Sequence, residues 1–214
     1  GSQHCQKGTP EFLWRNLSLI KNLPIAHPLL FRMDGGNDAV DTIKALIKTE
    51  GTAPSFIIKR NLRRESVTYW HELAQTLGEK RNDRPGKDVY TGVVTRNHPH
   101  ADADMPEFDI VFQVTERTID REGNRLLVSD IEVETWWTNM FEAPEIVIAL
   151  YHDHGTSEQF HSELKSDMGV ERLPSGKMKV NALILSLAMA AFNTLRLIGQ
   201  RALDKSVLLP IKTN

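Results

Sequence analysis

The densest set of reactive side chains lies in YHDHGTSEQFHSELK, from Tyr151 to Lys165. Gly155-Thr156-Ser157 reads as a turn with a ready N-cap, so Glu158 to Lys165 is predicted to be helix. Residues seven apart on a helix lie about 20° apart around its axis, so Glu158 and Lys165 share a face. His161 lies between them on that face, and His154 joins it if the helix starts early. A carboxylate, an ammonium and an imidazole on one stripe can hold an anion or a metal. A solvated helix with ordinary charge pairs has the same pattern.

A second acid stands apart. Asp34 follows the short apolar run Leu29-Leu30-Phe31-Arg32-Met33 and precedes Gly35-Gly36. That pattern reads as a buried strand and a tight turn. Asp34 then sits just beyond the carboxyl end of the strand, where open α/β sheets place their chemistry. A turn-forming Asp beside glycines is the plain alternative. The basic run Lys59, Arg60, Arg63 and Arg64 also follows a predicted strand, and could line the same rim. Phosphate contacts from such residues give affinity without reading sequence, although a solvated loop can carry the same charges. Arg121 and Arg125, and Arg172, Lys177 and Lys179, form weaker basic patches. The stretch His98 to Asp104 alternates ligand types, but zinc sites gather ligands from several segments, usually with Cys, so it reads as a polar loop. Trp136-Trp137 reads as core before any stacking on bases.

The elements that must position these residues follow from periodicity. Thr9-Pro10-Glu11 opens a helix with Thr as cap, and Phe12, Leu13, Leu17, Ile20 and Leu23 recur along it. After the strand ending at Met33, Asn37 or Asp38 can cap a helix with Val40, Ile43, Leu46 and Ile47 inside. Ser55 to Ile58 is a second strand, so strand–helix–strand favours a parallel pair. Residues 66–78 read as a short helix, and the charged 79–88 segment with Pro85-Gly86 reads as loop. From Val89 to about Asn139 the pattern alternates, with Phe108, Ile110, Phe112 and Val114 on one face and a hairpin turn at Arg121-Glu122-Gly123-Asn124. A helix opens at Pro144-Glu145 and leads into Tyr151, and a long apolar helix runs from Asn181 to about Leu203.

With 40% hydrophobic and 25% charged residues, the composition of this 214-residue chain is that of an ordinary soluble globular protein. A formal net charge of −2 gives no global field for nucleic acid, so any such contact must be local. The single cysteine, Cys5, excludes an internal disulfide. The longest apolar run, Ala182 to Phe192, is interrupted by Ser186 and is too short to span a bilayer. The chain opens Gly-Ser without Met, which reads as a tag remnant, so a piece of a longer protein is expected.

Taken together, Tyr151-x2-His154-x3-Glu158-x6-Lys165 resembles the Y-x2-R-x3-E-x6-K signature of bacterial insertion-sequence DDE transposases. GTSEQFHSELKSDMG at 155–169, RLPSG at 172–176 and LLFRMDGGND at 29–38 resemble the same family, and the likeness runs from about Gln3 to Gln200. The resemblance implies an α/β fold with a ribonuclease-H-like core, incomplete at its N-terminus, over 1–62 and 140–214, and a β-rich insertion over 63–139. It implies that Asp34 and Glu158 are the second and last acids of an Asp-Asp-Glu triad that holds two Mg²⁺ or Mn²⁺ ions. It further implies that Tyr151, His154 and Lys165 hold DNA, with Lys59, Arg60, Arg63, Arg64 and Arg121 as outlying DNA contacts. His154 stands where the family has Arg, and an imidazole grips phosphate only when protonated. The one acid before Asp34 is Glu11, in a predicted helix, so the first ligand is expected to be missing and the chain to show little activity. The expected partners are transposon-end and target DNA, with a homodimer compatible, in the bacterial cytoplasm and without a membrane. A catalytically dead DNA-binding or dimerising fragment, and an unrelated metal-dependent nuclease, are the alternatives.

Overall fold

A computed structural model describes residues 6–22, 28–48, 53–103, 105–120, 122–153 and 155–203. The chain falls into two compact units, Gly1–His152 and Asp153–Asn214. The first begins with helix α1 (Thr9–Ile20), which turns Leu13 and Leu17 inward. Thr9 is its first helical residue and not the expected cap. The N-cap is Gly8, whose φ of 85° suits a residue without Cβ.

Strand β1 (Leu30–Met33) leads through a 3-10 turn, Gly35–Asn37, into helix α2 (Val40–Ile47), and strand β2 (Ser55–Lys59) follows. β1 and β2 are parallel, with Met33 opposite Ile58, as the intervening helix requires. Helix α3 (Val67–Leu77) is capped by the Ser66 side chain, which accepts from the Tyr69 N–H, and buries Trp70 and Ala74. Four antiparallel strands come next: β3 (Glu79–Arg84), β4 (Lys87–Arg96), β5 (Phe108–Ile119) and β6 (Arg125–Thr138). The segment expected to be a loop at 79–88 is therefore largely strand.

β6 returns to pair with β2, Lys59 opposite Trp136, so one mixed six-stranded sheet runs in the order β1-β2-β6-β5-β4-β3. The fold is α/β. Alternation along the strands builds two cores. Phe56, Ile58, Phe112 and Trp137 point to one face, under α2 and α3, with Ile43, Leu46 and Trp70. Ile57, Val111 and Trp136 point to the other, under helix α4 (Pro144–His152), with Val147 and Ile148. Fully burying an aliphatic or Phe side chain contributes about 1.5–3 kcal/mol over leaving it exposed.

The two edges of the sheet differ. Every residue of β3 is exposed, and it is charged throughout apart from Asn82. β1 carries half-buried Leu30, Phe31 and Met33, and among the described residues it has a bonded strand on one side.

The second unit contains helices α5 (Gly155–Ser166) and α6 (Met178–Leu203), joined by an Arg196 Nη1 to Glu163 Oε2 ion pair of 2.9 Å. α5 begins three residues earlier than the sequence suggests. By length and composition, Met178–Ala202 is apolar enough to cross a membrane, because isolated polar residues such as Ser186 do not bring its mean hydropathy of 1.7 below that of spanning helices.

Candidate functional site

Asp34 stands one residue past the end of β1, and Lys59 ends the parallel partner β2. Asp34 is exposed. Its Oδ1 accepts from the Gly36 N–H at 3.1 Å and from Asn37 Nδ2 at 2.9 Å, so it caps the tight turn as a turn-forming Asp does. Its Oδ2 takes no hydrogen bond from the described residues. The carboxylate is thus held in place by one oxygen and open at the other.

Lys59 Nζ donates to Glu134 Oε1 at 2.7 Å across the β2–β6 pair. Burial acts to lower the Lys59 ammonium, but the hydrogen bond and charge of Glu134 outweigh it and raise it above the ordinary lysine value. The other Glu134 oxygen lies 3.9 Å from His152 Nε2, at the end of α4. Trp136 supplies a wall for the same corner: its ring lies 5.5 Å from that of Tyr151 and 5.8 Å from that of His152.

Tyr151 is the half-buried aromatic at a helix end that its position suggests. Burial pushes its phenol up, Lys59 pulls it back, and the charges of Asp34 and Glu134 push it up again. Asp34 thus contributes to the field at the Tyr151 hydroxyl. What brings them together is Arg32, on β1, whose Nη1 donates to the Leu150 carbonyl at 2.8 Å. The last turn of a helix leaves carbonyls without intrahelical partners, and a cation there also meets the negative end of the helix dipole. Arg32 thereby ties α4 to the strand that ends at Asp34.

Asp34, Lys59 and Tyr151 are thus brought to one corner of the sheet. Glu134, His152 and Arg32 complete it, and sequence reading did not single them out. Alternation along β6 places Glu134 and Trp136 on one face, but their approach to Lys59 depends on the β2–β6 pairing, which no local pattern announces.

The remaining candidates sit elsewhere. Arg60 requires a correction. It faces the opposite side of the sheet from Lys59, its side chain is 4% exposed, and its fork is bonded to both oxygens of Glu65. Its guanidinium lies over the rings of Trp70 and Trp137, at 5.6 and 5.1 Å. A guanidinium so enclosed serves the core and cannot also meet a DNA phosphate. Arg63 and Arg64 lie beyond it on the turn at 60–65, in a cleft with His98. His98 is not the solvated loop residue its neighbours suggest: it is buried against Trp137, with ring centroids 5.4 Å apart. Trp136 and Trp137 are core residues, as expected. Lys165 lies in the last turn of α5. The backbone of Glu158 and His161 is helical, and their side chains lie outside the described ones. Cys5, Arg121 and His154 lie outside the described residues.

The donor chemistry at this corner suits a hard cation in part. Asp34 offers one free carboxylate oxygen, of the kind Mg²⁺ and Mn²⁺ take. Glu134 is engaged with Lys59. Among the described residues no group of three or more His, Cys, Asp or Glu side chains could hold a metal ion. A complete site at Asp34 needs further acids. No family model matches the chain, and no curated protein matches it at a significant level.

Proposed function

We propose that the chain is the C-terminal catalytic part of a cut-and-paste DNA transposase. In this reading Asp34 and Glu158 are two carboxylate ligands of a site for two divalent cations, and the parallel β1–α2–β2 unit belongs to a ribonuclease-H-like core. The one acid before Asp34 in this sequence, Glu11, lies in helix α1 and not on a strand, so the chain as given is expected to cleave DNA weakly or not at all. The observation that supports the reading most is the Asp34 corner. The DGGN turn and the tyrosine of the signature lie far apart in sequence, yet Arg32, two residues before Asp34, bonds the carbonyl of Leu150, one residue before Tyr151.

Each residue then has a part. Asp34 and Glu158 would hold the two hard cations, which would supply activation of a water or a 3′-hydroxyl and neutralisation of charge on the leaving oxygen of a phosphodiester. Asp34, fixed through Oδ1, presents Oδ2 without having to reorganise. Tyr151 keeps its proton at neutral pH, as an unperturbed phenol also does, and in this reading donates a hydrogen bond to a DNA oxygen. Lys59 stands as a point charge beside the cut, restrained by Glu134. Lys165 grips backbone as a second such charge. The expected partners are transposon-end and target DNA, in a bacterial cytoplasm.

The test is paramagnetic. Titrating the ¹⁵N-labelled chain with Mn²⁺ should broaden the amides of 34–36 and of 157–159 together, and Asp34→Ala should remove both effects. Broadening that stays at Asp34 and never reaches α5 would sink the reading. Robust plasmid nicking by this chain, abolished by Asp34→Ala, would overturn the claim that its active site is incomplete.

His154, where the family it resembles has Arg, favours one other reading, a catalytically silent fragment that binds DNA or dimerises. It predicts oligonucleotide binding that Mn²⁺ and Asp34→Ala leave unchanged.

A further inference from the structure

On the opposite face of the sheet from Trp136 and Tyr151, the turn at 60–65 and the turn at 98–100 enclose a cleft of about 400 Å³. Such a volume suits a small ligand. Asp38 forms its floor and is buried. Oδ1 of Asp38 accepts from Trp137 Nε1 at 3.0 Å; Oδ2 accepts from the Asn61 N–H at 3.0 Å and from Arg63 Nη2 at 3.3 Å. Its charge is therefore spent inside the protein. Glu65 is spent likewise on Arg60.

The donors are not spent. His98 is 1% exposed in its side chain, and its Nδ1 accepts the His100 N–H at 3.2 Å. The neutral ring must then carry its proton on Nε2. Nε2 has no hydrogen-bond partner, since Asp38 Oδ1 is 3.7 Å away. Arg63 uses Nη2 alone, on the carbonyl and carboxylate of Asp38, which leaves Nη1 and Nε without an acceptor among the described residues. Arg64 is exposed and makes no hydrogen bond or ion pair among them. Arg63 is the one described non-glycine residue with positive φ, at 55°, a conformation uncommon for its type. The charges of Glu65 and Asp38 are matched by Arg60 and Arg63, which leaves the charge of Arg64, the unused N–H groups of Arg63 and a buried imidazole N–H.

We propose that this cleft is a phosphate-binding site, in which Arg64, the free edge of Arg63 and His98 Nε2 hold the oxygens of one phosphate group. Planar guanidinium forks match phosphate, and a buried donor without a partner is the costly feature that such a ligand relieves. Arg60, although it lines the cleft, takes no part because Glu65 occupies its fork. The site does not rest on the transposase reading, and Asp34→Ala should leave it intact.

The test uses inorganic phosphate and, separately, a duplex oligonucleotide, each titrated into the ¹⁵N-labelled chain. Saturable shifts with phosphate at Arg63, Arg64 and the side chain of His98 are expected. Arg64→Gln, which disturbs no contact, should weaken them at least fivefold, and His98→Gln should do the same. A wild-type protein without saturable shifts at these residues, or an Arg64→Gln variant that binds phosphate as tightly, would overturn the site. The second titration identifies the source of the phosphate. If the cleft seats a backbone phosphate, Arg64→Gln lowers the slope of log K against log salt by about 1, and free phosphate competes. An unchanged slope with phosphate binding retained assigns the site to small phosphate compounds.

Discussion

Arg32 Nη1 donates to the Leu150 carbonyl at 2.8 Å, joining the strand that ends in Asp34 to the helix that ends in Tyr151 and His152. The bond spans 118 positions, and it does locally what a helix cap does, with a charged donor. Arg32→Ala removes it and leaves a half-buried carbonyl unpaired. Hydrogen bonds from charged groups contribute about 1.5–3 kcal/mol. We expect a loss of that size in urea unfolding and, in the NMR spectrum, shifts concentrated in residues 148–152. A variant as stable as the wild type would show that α4 is held by apolar packing alone.

Glu134 restrains Lys59, and under the proposed DNA-binding reading its removal should show in oligonucleotide binding. In Glu134→Gln the ammonium loses a charged acceptor, and its titration should move down toward the ordinary lysine value. Oligonucleotide binding should tighten, and the salt slope should rise by about 1 as Lys59 becomes available to a phosphate. Unchanged affinity and slope would remove Lys59 from the DNA contacts.

The Asp38 carboxylate sets an acid limit to stability. Burial acts to raise it, but His98, the Asn61 N–H, Arg63 and the Trp137 N–H together outweigh burial and lower it. The His98 contribution is electrostatic, since 3.7 Å is longer than a hydrogen bond. Glu65 is lowered in the same sense, with burial again outweighed by Arg60 and Trp70. A depressed folded pKa gives stability that is present above the ordinary carboxylate range and is lost as pH falls through the depressed value. Urea midpoints should therefore hold steady from neutrality down to about pH 4 and fall below it. In Trp137→Phe, Asp38 Oδ1 loses its donor at a cost of about 1–3 kcal/mol. Asp38→Asn should flatten the fall at low pH, and an equally steep fall in that variant would assign it to other acids.

Gly92 marks a place where β4 cannot carry a side chain. It pairs with Phe112, and a methyl group there would overlap the Phe112 ring. Because Phe112 is fully buried against Trp70, the ring has no free space to move into. Gly92→Ala should cost about 1–3 kcal/mol in chemical denaturation. A neutral substitution would mean that this core relaxes more readily than its packing implies.

The helices and the long hairpin were legible because each buries one face, and burial leaves a period in the sequence. α2 shows it in Ile43 and Leu46, and β5 in Ile110, Phe112 and Val114. β3 left no such mark. Glu79–Arg84 is wet on both faces, so nothing alternates, and its strand form comes from β4 through backbone pairing and the Lys80–Asp88 contact at 2.8 Å. Arg60 was misread for a related reason. A guanidinium in a basic run resembles its neighbours until one knows that Glu65, Trp70 and Trp137 close around it. The position of Asp34 at a strand end was legible. Its companions Glu134 and Arg32 were not, because both act through contacts between distant segments. Asp38 was readable as a helix cap, whereas its bond to Trp137 spans 99 positions and leaves no local trace.

The unlike edges of the sheet bear on how copies of this chain can meet. A seam that extends by lateral docking of strands requires two receptive borders, one to accept and one to offer. Here the Glu79–Arg84 border is a row of ionised side chains apart from Asn82, which resists such docking, and among the described residues the Leu30–Met33 border alone is compatible with it. Two copies joined through that border use it up on both partners, so the contact ends in a closed pair and cannot propagate into a fibre.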